Sequence, residues 1–388
     1  MKSCLSVRGA SAWNLLAVVC LLSLPAAAPA IAQTSSAVAQ SPALPRYTII
    51  ALDPLPKETM SQALALNNSG VVVGWSGSPG RPNYATVWKN GVPTLPRNTQ
   101  YYTVAEGVNA AGVVVGSPTI MTGMHMGSTL SGASALSIWA NKTDYLPGFS
   151  NAHAINDVGQ LAGDVGEQAA LWYAANRFLF QWHRLNAYPG YAGSAVSRLN
   201  AMSTAYAVNS GGQAAGVLWS SHTFSLEVNN FRAFRVEDGK IALLETPKDG
   251  SSAAFALSDD GTAAGLLSVP GTPERAVLWP AHGAVQPLPT LPGLPHAAVF
   301  GVNNAGLAVG SASRAPLPVG YFMFTEDASS DDRAVLWRGG VAVDLTACLP
   351  SGSGWTLQAA HAVNRAGQIV GFGLLNGQTR AFLLTPTP

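Results

Sequence analysis

Charged residues are scarce in this sequence: they make up 11% of 388 residues, whereas hydrophobic residues make up 48%. This balance excludes an intrinsically disordered chain, which needs low hydrophobicity and high charge. It also disfavours a bundle of long helices, because exposed helix faces need Glu, Lys and Arg, and because 40 Gly and 26 Pro would interrupt them. The formal net charge is +1, which leaves no overall basic field for nucleic acid. What remains is an all-β protein punctuated by Gly and Pro.

Cysteine is also scarce, with three residues, and two of them fall in a segment with the features of an export signal. Residues 1–32 begin with the basic residues Lys2 and Arg8 and continue through an apolar stretch from Leu15 to Leu24. This stretch is too short to span a bilayer. We therefore predict a signal peptide over residues 1–32, a flexible leader over residues 33–45, and a secreted or periplasmic protein with no membrane span after signal removal.

Cys348 is the one cysteine that follows the predicted signal, so the mature chain has no internal disulfide. Its fold must then depend on a buried core. We interpret Cys348 as a small buried residue, with a catalytic thiol as the alternative.

An internal repeat organises the rest of the chain. The shared pattern reads small-x-small-apolar-Asn, two variable residues, Gly, and a short run that ends in a second Gly, with Ser258 at the Asn position of the fifth copy. The seven copies are residues 63–74, 105–116, 152–163, 205–216, 254–265, 299–310 and 360–371. Alternating small and apolar residues predict strands, and Asn-x-x-Gly predicts the tight turn between two of them. A second apolar segment, often ending in Trp, and a third after a short turn complete a predicted four-stranded antiparallel meander.

Units of this length with four antiparallel strands are typical of β-propeller blades. Residues 46–388 provide 49 residues for each of seven units. The last copy ends one strand short, and the segment from Tyr47 to Pro56 has the character of an outer strand. We therefore predict a seven-bladed β-propeller closed by its N-terminal strand, which completes the last blade and removes an exposed sheet edge. An open solenoid is the alternative.

The units resemble the HAF-type extracellular repeat family of exported bacterial proteins. The resemblance covers nearly all of the predicted mature chain, and its most specific part is the Asn-x-x-Gly-x-x-x-Gly pattern, as at Asn156, Gly159 and Gly163. The family is named after a His-Ala-Phe tripeptide. This sequence differs from it in the first position, which is Arg in the copies at residues 232–234 and 380–382. The resemblance implies a propeller-like fold and export, and it implies no reaction.

One position in the first strand of each copy varies and is the main candidate for a ligand site. In chain order it holds Leu64, Glu106, His153, Tyr206, Phe255, Phe300 and His361. These residues either pack blade against blade, or form a ligand or metal pocket from Glu106, His153, Tyr206 and His361. We expect Glu106 and His153 to meet, because their copies are adjacent.

Four arginines occupy equivalent positions in the later copies: Arg232, Arg275, Arg333 and Arg380. They could form an arc that binds an anionic ligand. Alternatively, each could donate to a nearby backbone carbonyl as a structural contact.

A weak metal motif, Met121-Thr-Gly-Met124-His125-Met126, lies in a long predicted loop. Thioether and imidazole ligands in an exported protein would suit Cu(I). The alternative is a flexible apolar cover, since methionine adapts to irregular surfaces.

No catalytic motif is recognised: the sequence has no Gly-x-Ser-x-Gly, no phosphate-binding Gly loop and no His-Glu-x-x-His. We therefore expect a monomeric, non-catalytic binding or scaffold module without a cofactor, whose partner is a glycan or a protein outside the cytoplasm. Long predicted loops on one rim, at residues 117–135, 311–332 and 346–358, would form its contact surface. The alternative is a propeller enzyme that acts on extracellular polysaccharide around Glu106, His153 and His361.

Overall fold

The computed structural model describes residues 44–81, 83–96, 103–118, 135–139, 142–146, 151–165, 168–173, 181–184, 201–220, 231–237, 240–317 and 331–387. All of them belong to one unit, Leu44–Pro388. Within these ranges, no helix is long and apolar enough to cross a membrane. The predicted signal peptide, nearly all of the predicted leader, and the motif from Met121 to Met126 lie outside the described residues.

Regular structure in the described ranges is almost entirely β, as the composition predicts. In chain order the strands are β1 (Tyr47–Leu52), β2 (Met60–Leu66), β3 (Val72–Gly77), β4 (Tyr84–Lys89), β5 (Val92–Thr94), β6 (Thr103–Val108), β7 (Val114–Pro118), β8 (Ala135–Trp139), β9 (Lys142–Leu146), β10 (Asn151–Ile155), β11 (Leu161–Val165), β12 (Gln168–Tyr173), β13 (Gln181–Arg184), β14 (Ala201–Val208), β15 (Ala214–Ser220), β16 (Arg232–Glu237), β17 (Lys240–Leu243), β18 (Ser251–Leu257), β19 (Ala263–Ser268), β20 (Arg275–Trp279), β21 (Gln286–Pro287), β22 (His296–Val302), β23 (Ala308–Ser313), β24 (Arg333–Arg338), β25 (Val341–Asp344), β26 (Trp355–Val363), β27 (Ile369–Leu375) and β28 (Gln378–Pro386). A 3-10 helix, Leu345–Cys348, follows β25.

The strands pair into small antiparallel sheets of four. We name them in chain order: sheet I (β2–β5), sheet II (β6–β9), sheet III (β10–β13), sheet IV (β14–β17), sheet V (β18–β21), sheet VI (β22–β25) and sheet VII (β26–β28 together with β1). In sheets I to VI, strand order follows the sequence, so each is a meander. The prediction of an all-β, propeller-like arrangement of small antiparallel sheets is confirmed.

Sheet VII differs because its outer strand comes from the other end of the described chain. Strand β1 runs antiparallel to β28, with Tyr47 opposite Pro386 and Leu52 opposite Ala381. The indole of Trp88 in sheet I donates to the carbonyl of Asp53, just after β1, at 2.7 Å. Sheets V and VI repeat this contact, since Trp279 and Trp337 also donate to carbonyls of the preceding sheet. The recurring tryptophan thus joins consecutive sheets.

The two glycine positions of the repeat favour glycine for different structural reasons. The turn glycine, such as Gly70 with φ of +78°, adopts a left-handed conformation that side chains disfavour. The second glycine lies where two strands approach closely: a Cβ on Gly163 would stand 2.0 Å from the carbonyl oxygen of Asn151. A register shift follows that contact, between Ala152 and Ala154, as in a β-bulge.

Turn asparagines link each sheet to the next. The Oδ1 of Asn67 accepts from the amides of Ser69 and Val71, which is the predicted local role. Its Nδ2 also donates to the carbonyl of Asn109 in sheet II at 2.9 Å. The same donation recurs from the buried amides of Asn109, Asn156, Asn209, Asn303 and Asn364. We call this series the asparagine ladder.

The asparagine ladder also joins sheet VII to sheet I, and it takes a different form at sheet V. Asn364 of sheet VII donates to the carbonyl of Asn67 in sheet I at 3.2 Å. Sheet V has Ser258 in place of asparagine, and there Asp259 accepts from the amide of Ser210 at 2.9 Å and from Asn304 at 2.9 Å. Burial opposes ionisation of Asp259, yet these hydrogen bonds hold its pKa below the usual value.

Replacing Asn364 with serine should lower the free energy of unfolding by about 1–3 kcal/mol. Serine removes the amide donor to Asn67 and leaves that buried carbonyl without the contact. Urea unfolding followed by tryptophan fluorescence measures the loss. The matched control is Asn68→Ser, because Asn68 is exposed although its Oδ1 also accepts across sheets, from the amide of Arg365. Equal losses in the two variants would contradict a ladder of buried hydrogen bonds.

Candidate functional site

The variable first-strand residues form a continuous series of side-chain contacts across neighbouring sheets. Glu106 contacts His153, and the ring of His153 lies 5.0 Å from that of Tyr206. The series continues through aromatic rings, with centroid separations of 5.7 Å from Tyr206 to Phe255 and 6.1 Å from Phe255 to Phe300. The varying position therefore places one side chain from each of sheets II to VII in a common tier, which we call the inner tier.

A polar cluster occupies the part of the inner tier that sheets II to IV provide. The Nδ1 of His153 contacts the Oε2 of Glu106, and its Nε2 lies 3.7 Å from the Oδ2 of Asp164. That same Oδ2 accepts hydrogen bonds from Asn151 at 2.9 Å and from Thr204 at 3.3 Å. The Glu106 and Asp164 side chains are 8% and 5% exposed, so both carboxylates are well shielded from water.

The charge state of His153 follows from its two carboxylate neighbours. Burial alone would lower its pKa, but the negative charges and hydrogen bonds of Glu106 and Asp164 outweigh that effect and raise the pKa to about 10. His153 is therefore an imidazolium at neutral pH. Two carboxylates and one imidazolium leave the cluster with a net charge of about −1.

His361 does not join this cluster, although it occupies the same position of the repeat. Phe255 and Phe300 stand between it and Tyr206 in the contact series, and its ring lies 5.7 Å from Phe300 and 5.6 Å from Phe372. Its Nδ1 lies 2.9 Å from the carbonyl oxygen of Ala63 in sheet I. Burial lowers the pKa of His361 to about 4, and the bond to Ala63 only partly opposes this, so the imidazole is neutral.

The four candidate arginines share a register: each pairs with the residue two after the second glycine of its copy. Arg232 contacts the carbonyl oxygen of Gly250, and Arg380 contacts that of Thr59; both acceptors lie just before the first strand of the next sheet. Arg333 donates to the carbonyl of Asp332 at 2.8 Å, and Arg275 is exposed. Three of the four thus make the backbone contacts of the structural interpretation.

Metal ligands are not gathered anywhere in the described ranges: no group of three or more His, Cys, Asp or Glu is arranged to hold an ion. The copper hypothesis for Met121, Met124, His125 and Met126 concerns residues outside those ranges. Cys348 is buried, and burial raises the pKa of its thiol to about 11, so it is a thiol at neutral pH.

Sequence reasoning missed Asp164, which supplies the second carboxylate of the cluster. A signal was present, because Asp164 directly follows the second glycine of its copy. The other copies place an uncharged residue there: Trp75, Ser117, Val217, Leu266, Ser311 and Phe372. A second pair was also missed, between Nδ1 of His296 and Oε2 of Glu274, at the start of β22.

Comparisons with known proteins give structural similarity only. No protein-family model matches the chain, and no curated protein matches it. A puromycin-hydrolyzing peptidase from Mycobacterium tuberculosis is similar over 82% of this chain, with 15% identity and a TM-score of 0.48. The chain spans 49% of that peptidase, or about half its length. An oligogalacturonate lyase in complex with manganese is similar over 82% of this chain and 74% of its own, with 9% identity and a TM-score of 0.33. The propeller-like description therefore rests on strand topology.

Proposed function

We propose that the chain is an exported, non-catalytic β-propeller that acts as a binding or scaffold module through the loops of one rim. Its partner is a glycan or a protein outside the cytoplasm. Export is supported by the predicted signal peptide and by the resemblance to HAF-type repeats. The observation that carries the non-catalytic part is the state of His153, which is held as an imidazolium between Glu106 and Asp164. A group with a pKa of about 10 is a poor general base at neutral pH.

The proposed scaffold is a closed ring of seven blades. The pairing of β1 with β28 inside sheet VII supports closure. So do three contacts between sheets VII and I: the indole of Trp88 on Asp53, His361 on Ala63, and Asn364 on Asn67. A closed ring leaves no sheet edge for aggregation and holds the rim loops at fixed positions. Variable loops on a rigid scaffold are a common location of binding surfaces.

Affinity electrophoresis tests this proposal with the mature chain, residues 33–388. The gels contain soluble xylan, a neutral β-glucan or polygalacturonate, and the matched variant carries short Gly-Ser linkers in place of residues 119–134 and 318–330. We expect at least one polysaccharide to retard the parent chain, and the linker variant to migrate freely with an unchanged thermal unfolding temperature. Equal retardation of both proteins would contradict binding through the rim loops.

The second candidate is an enzyme that acts on polysaccharide at the inner tier. It is favoured by Asp164, because glycoside cleavage needs two carboxylates at one pocket and the sequence alone offered only Glu106. The same three polysaccharides are assayed for new reducing ends. Turnover that disappears in Glu106→Gln and Asp164→Asn, with folding retained, would replace the non-catalytic proposal.

A further inference from the structure

A buried carboxamide in sheet I has no hydrogen-bond partner within the described part of the chain. Gln62, on β2 of sheet I, is fully buried, and neither its Nε2 nor its Oε1 makes a hydrogen bond there. Buried polar groups are paired in the great majority of cases, and an exception points to a bound water, ion or ligand as one explanation. The amides of the asparagine ladder, by contrast, are all engaged.

The register of the repeat places Gln62 beside the inner tier. Gln62 lies opposite Trp75, just as Asn151 lies opposite Asp164 and Thr204 lies opposite Val217. These are equivalent positions, because each second-strand residue directly follows the second glycine of its copy. Asn151 and Thr204 both donate to Asp164 in the polar cluster. Gln62 therefore occupies the same level in sheet I that these two donors occupy in sheets III and IV.

The chemistry of these groups restricts what would satisfy them. Gln62 needs a donor for Oε1 and an acceptor for Nε2, and a hydroxyl group can play either part. An ammonium group would satisfy the carbonyl oxygen alone and would leave the amide nitrogen unpaired. An anion is disfavoured because the cluster of Glu106, His153 and Asp164 carries a net negative charge.

Aromatic surface is available in sheets IV to VI. Tyr206 and Phe300 are partly exposed members of the contact series, and Trp219 and Phe231, with ring centroids 6.1 Å apart, pack against the same apolar cluster. Pockets for small molecules typically combine such apolar walls with a few convergent polar groups. A sugar ring matches both parts of this surface: the hydroxyl groups at its edge can pair with the polar groups, and its apolar C–H faces can pack on the aromatic rings.

We propose that the inner tier holds a neutral saccharide unit, whose hydroxyl groups pair with Gln62 and with the carboxylates of Glu106 and Asp164 and whose ring faces the aromatic residues of sheets IV to VI. The site depends on the closed scaffold proposed above. It goes beyond the proposed function because it is separate from the rim loops. Neutral sugars are the ligand class, and the net negative charge of the cluster disfavours anionic sugars.

Isothermal titration calorimetry with monosaccharides tests the site. The probes are the methyl glycosides of glucose, galactose, mannose, xylose and N-acetylglucosamine, with glucosamine and glucuronate as charged counterparts. The variants are Gln62→Met, which keeps the side-chain length without polar atoms, and the control Gln286→Met on the exposed strand β21. We expect one or more neutral glycosides to bind, Gln62→Met to weaken that binding about tenfold or more, and the control to bind as the parent chain does.

Thermal unfolding without sugar separates a ligand role from a structural one. If Gln62 awaits a ligand, Gln62→Met removes an unsatisfied buried amide and should unfold at the same or a higher temperature. A lower unfolding temperature would show that Gln62 is a structural residue and would overturn the proposal. Stronger binding of a charged sugar than of any neutral glycoside would also overturn the proposal. If no neutral glycoside binds, the proposal is wrong and water is the partner of Gln62.

The rim-loop linker variant distinguishes this site from the proposed function. It should bind monosaccharides as the parent chain does, because the inner tier is intact. Retardation by polysaccharide that depends on the loops, together with no effect of Gln62→Met on any sugar, would leave the proposed function standing and the inner site wrong.

Discussion

Replacing Leu52 with alanine should lower the free energy of unfolding by about 2–5 kcal/mol. Leu52 lies on β1 and is fully buried in a cluster with Ala63 and Trp88 of sheet I and with Val370 and Ala381 of sheet VII. The loss has two parts, the transfer of apolar surface to water and the cavity left at the junction between the two sheets. Urea unfolding followed by tryptophan fluorescence measures it.

Ile50 provides the matched control on the same strand. Its side chain is 50% exposed, so Ile50→Ala should change the free energy of unfolding by no more than about 0.5 kcal/mol. Leu52→Val is a milder second variant in case the alanine variant does not fold. Small and equal effects at Leu52 and Ile50 would mean that β1 is not part of the core, and would contradict the closed scaffold.

The repeat made the strands and turns predictable because their conformation depends on residues that are close together in the sequence. Asn67 and Gly70 sit in a turn whose geometry depends on the residues themselves, and alternating small and apolar residues define the strands that flank it. The same sequence could not reveal the second role of Asn67, because the direction of its Nδ2 depends on where sheet II stands. Each contact of the asparagine ladder crosses a sheet boundary.

The candidate site was predictable only in part, for a related reason. Glu106 and His153 were expected to meet, since their copies are adjacent, and the structure brings them into contact. His153 and His361 hold the same position in their copies but differ in pKa by about six units, because one faces two carboxylates and the other faces phenylalanine rings. Repeat position therefore predicts location, whereas the neighbouring sheets determine charge.

The free energy of unfolding should fall as the pH rises above 6.5, because His153 holds its proton more tightly when folded. Its pKa is 6.5 in the unfolded chain and about 10 in the folded one, where burial opposes the charge but Glu106 and Asp164 stabilise it. The stabilisation is complete below 6.5 and is lost as the pH approaches 10, with a slope of up to about 1.4 kcal/mol per pH unit. Urea unfolding between pH 6.5 and 8 measures this slope. The thiol of Cys348 has a pKa of 9.0 in the unfolded chain and about 11 in the folded one, so it adds to the slope mainly above this range.

His153→Gln should remove this slope, since glutamine has no proton to lose in that range. His361→Gln is the matched control, because burial lowers the pKa of His361 to about 4 and reverses the sign: unfolding takes up a proton, so stability falls as the pH decreases below 6.5. The control should therefore keep the parent slope above pH 6.5 and lose part of the dependence between pH 5 and 6.5. An unchanged slope in His153→Gln would show that Glu106 and Asp164 do not hold a charged imidazolium, and it would reopen His153 as a general base.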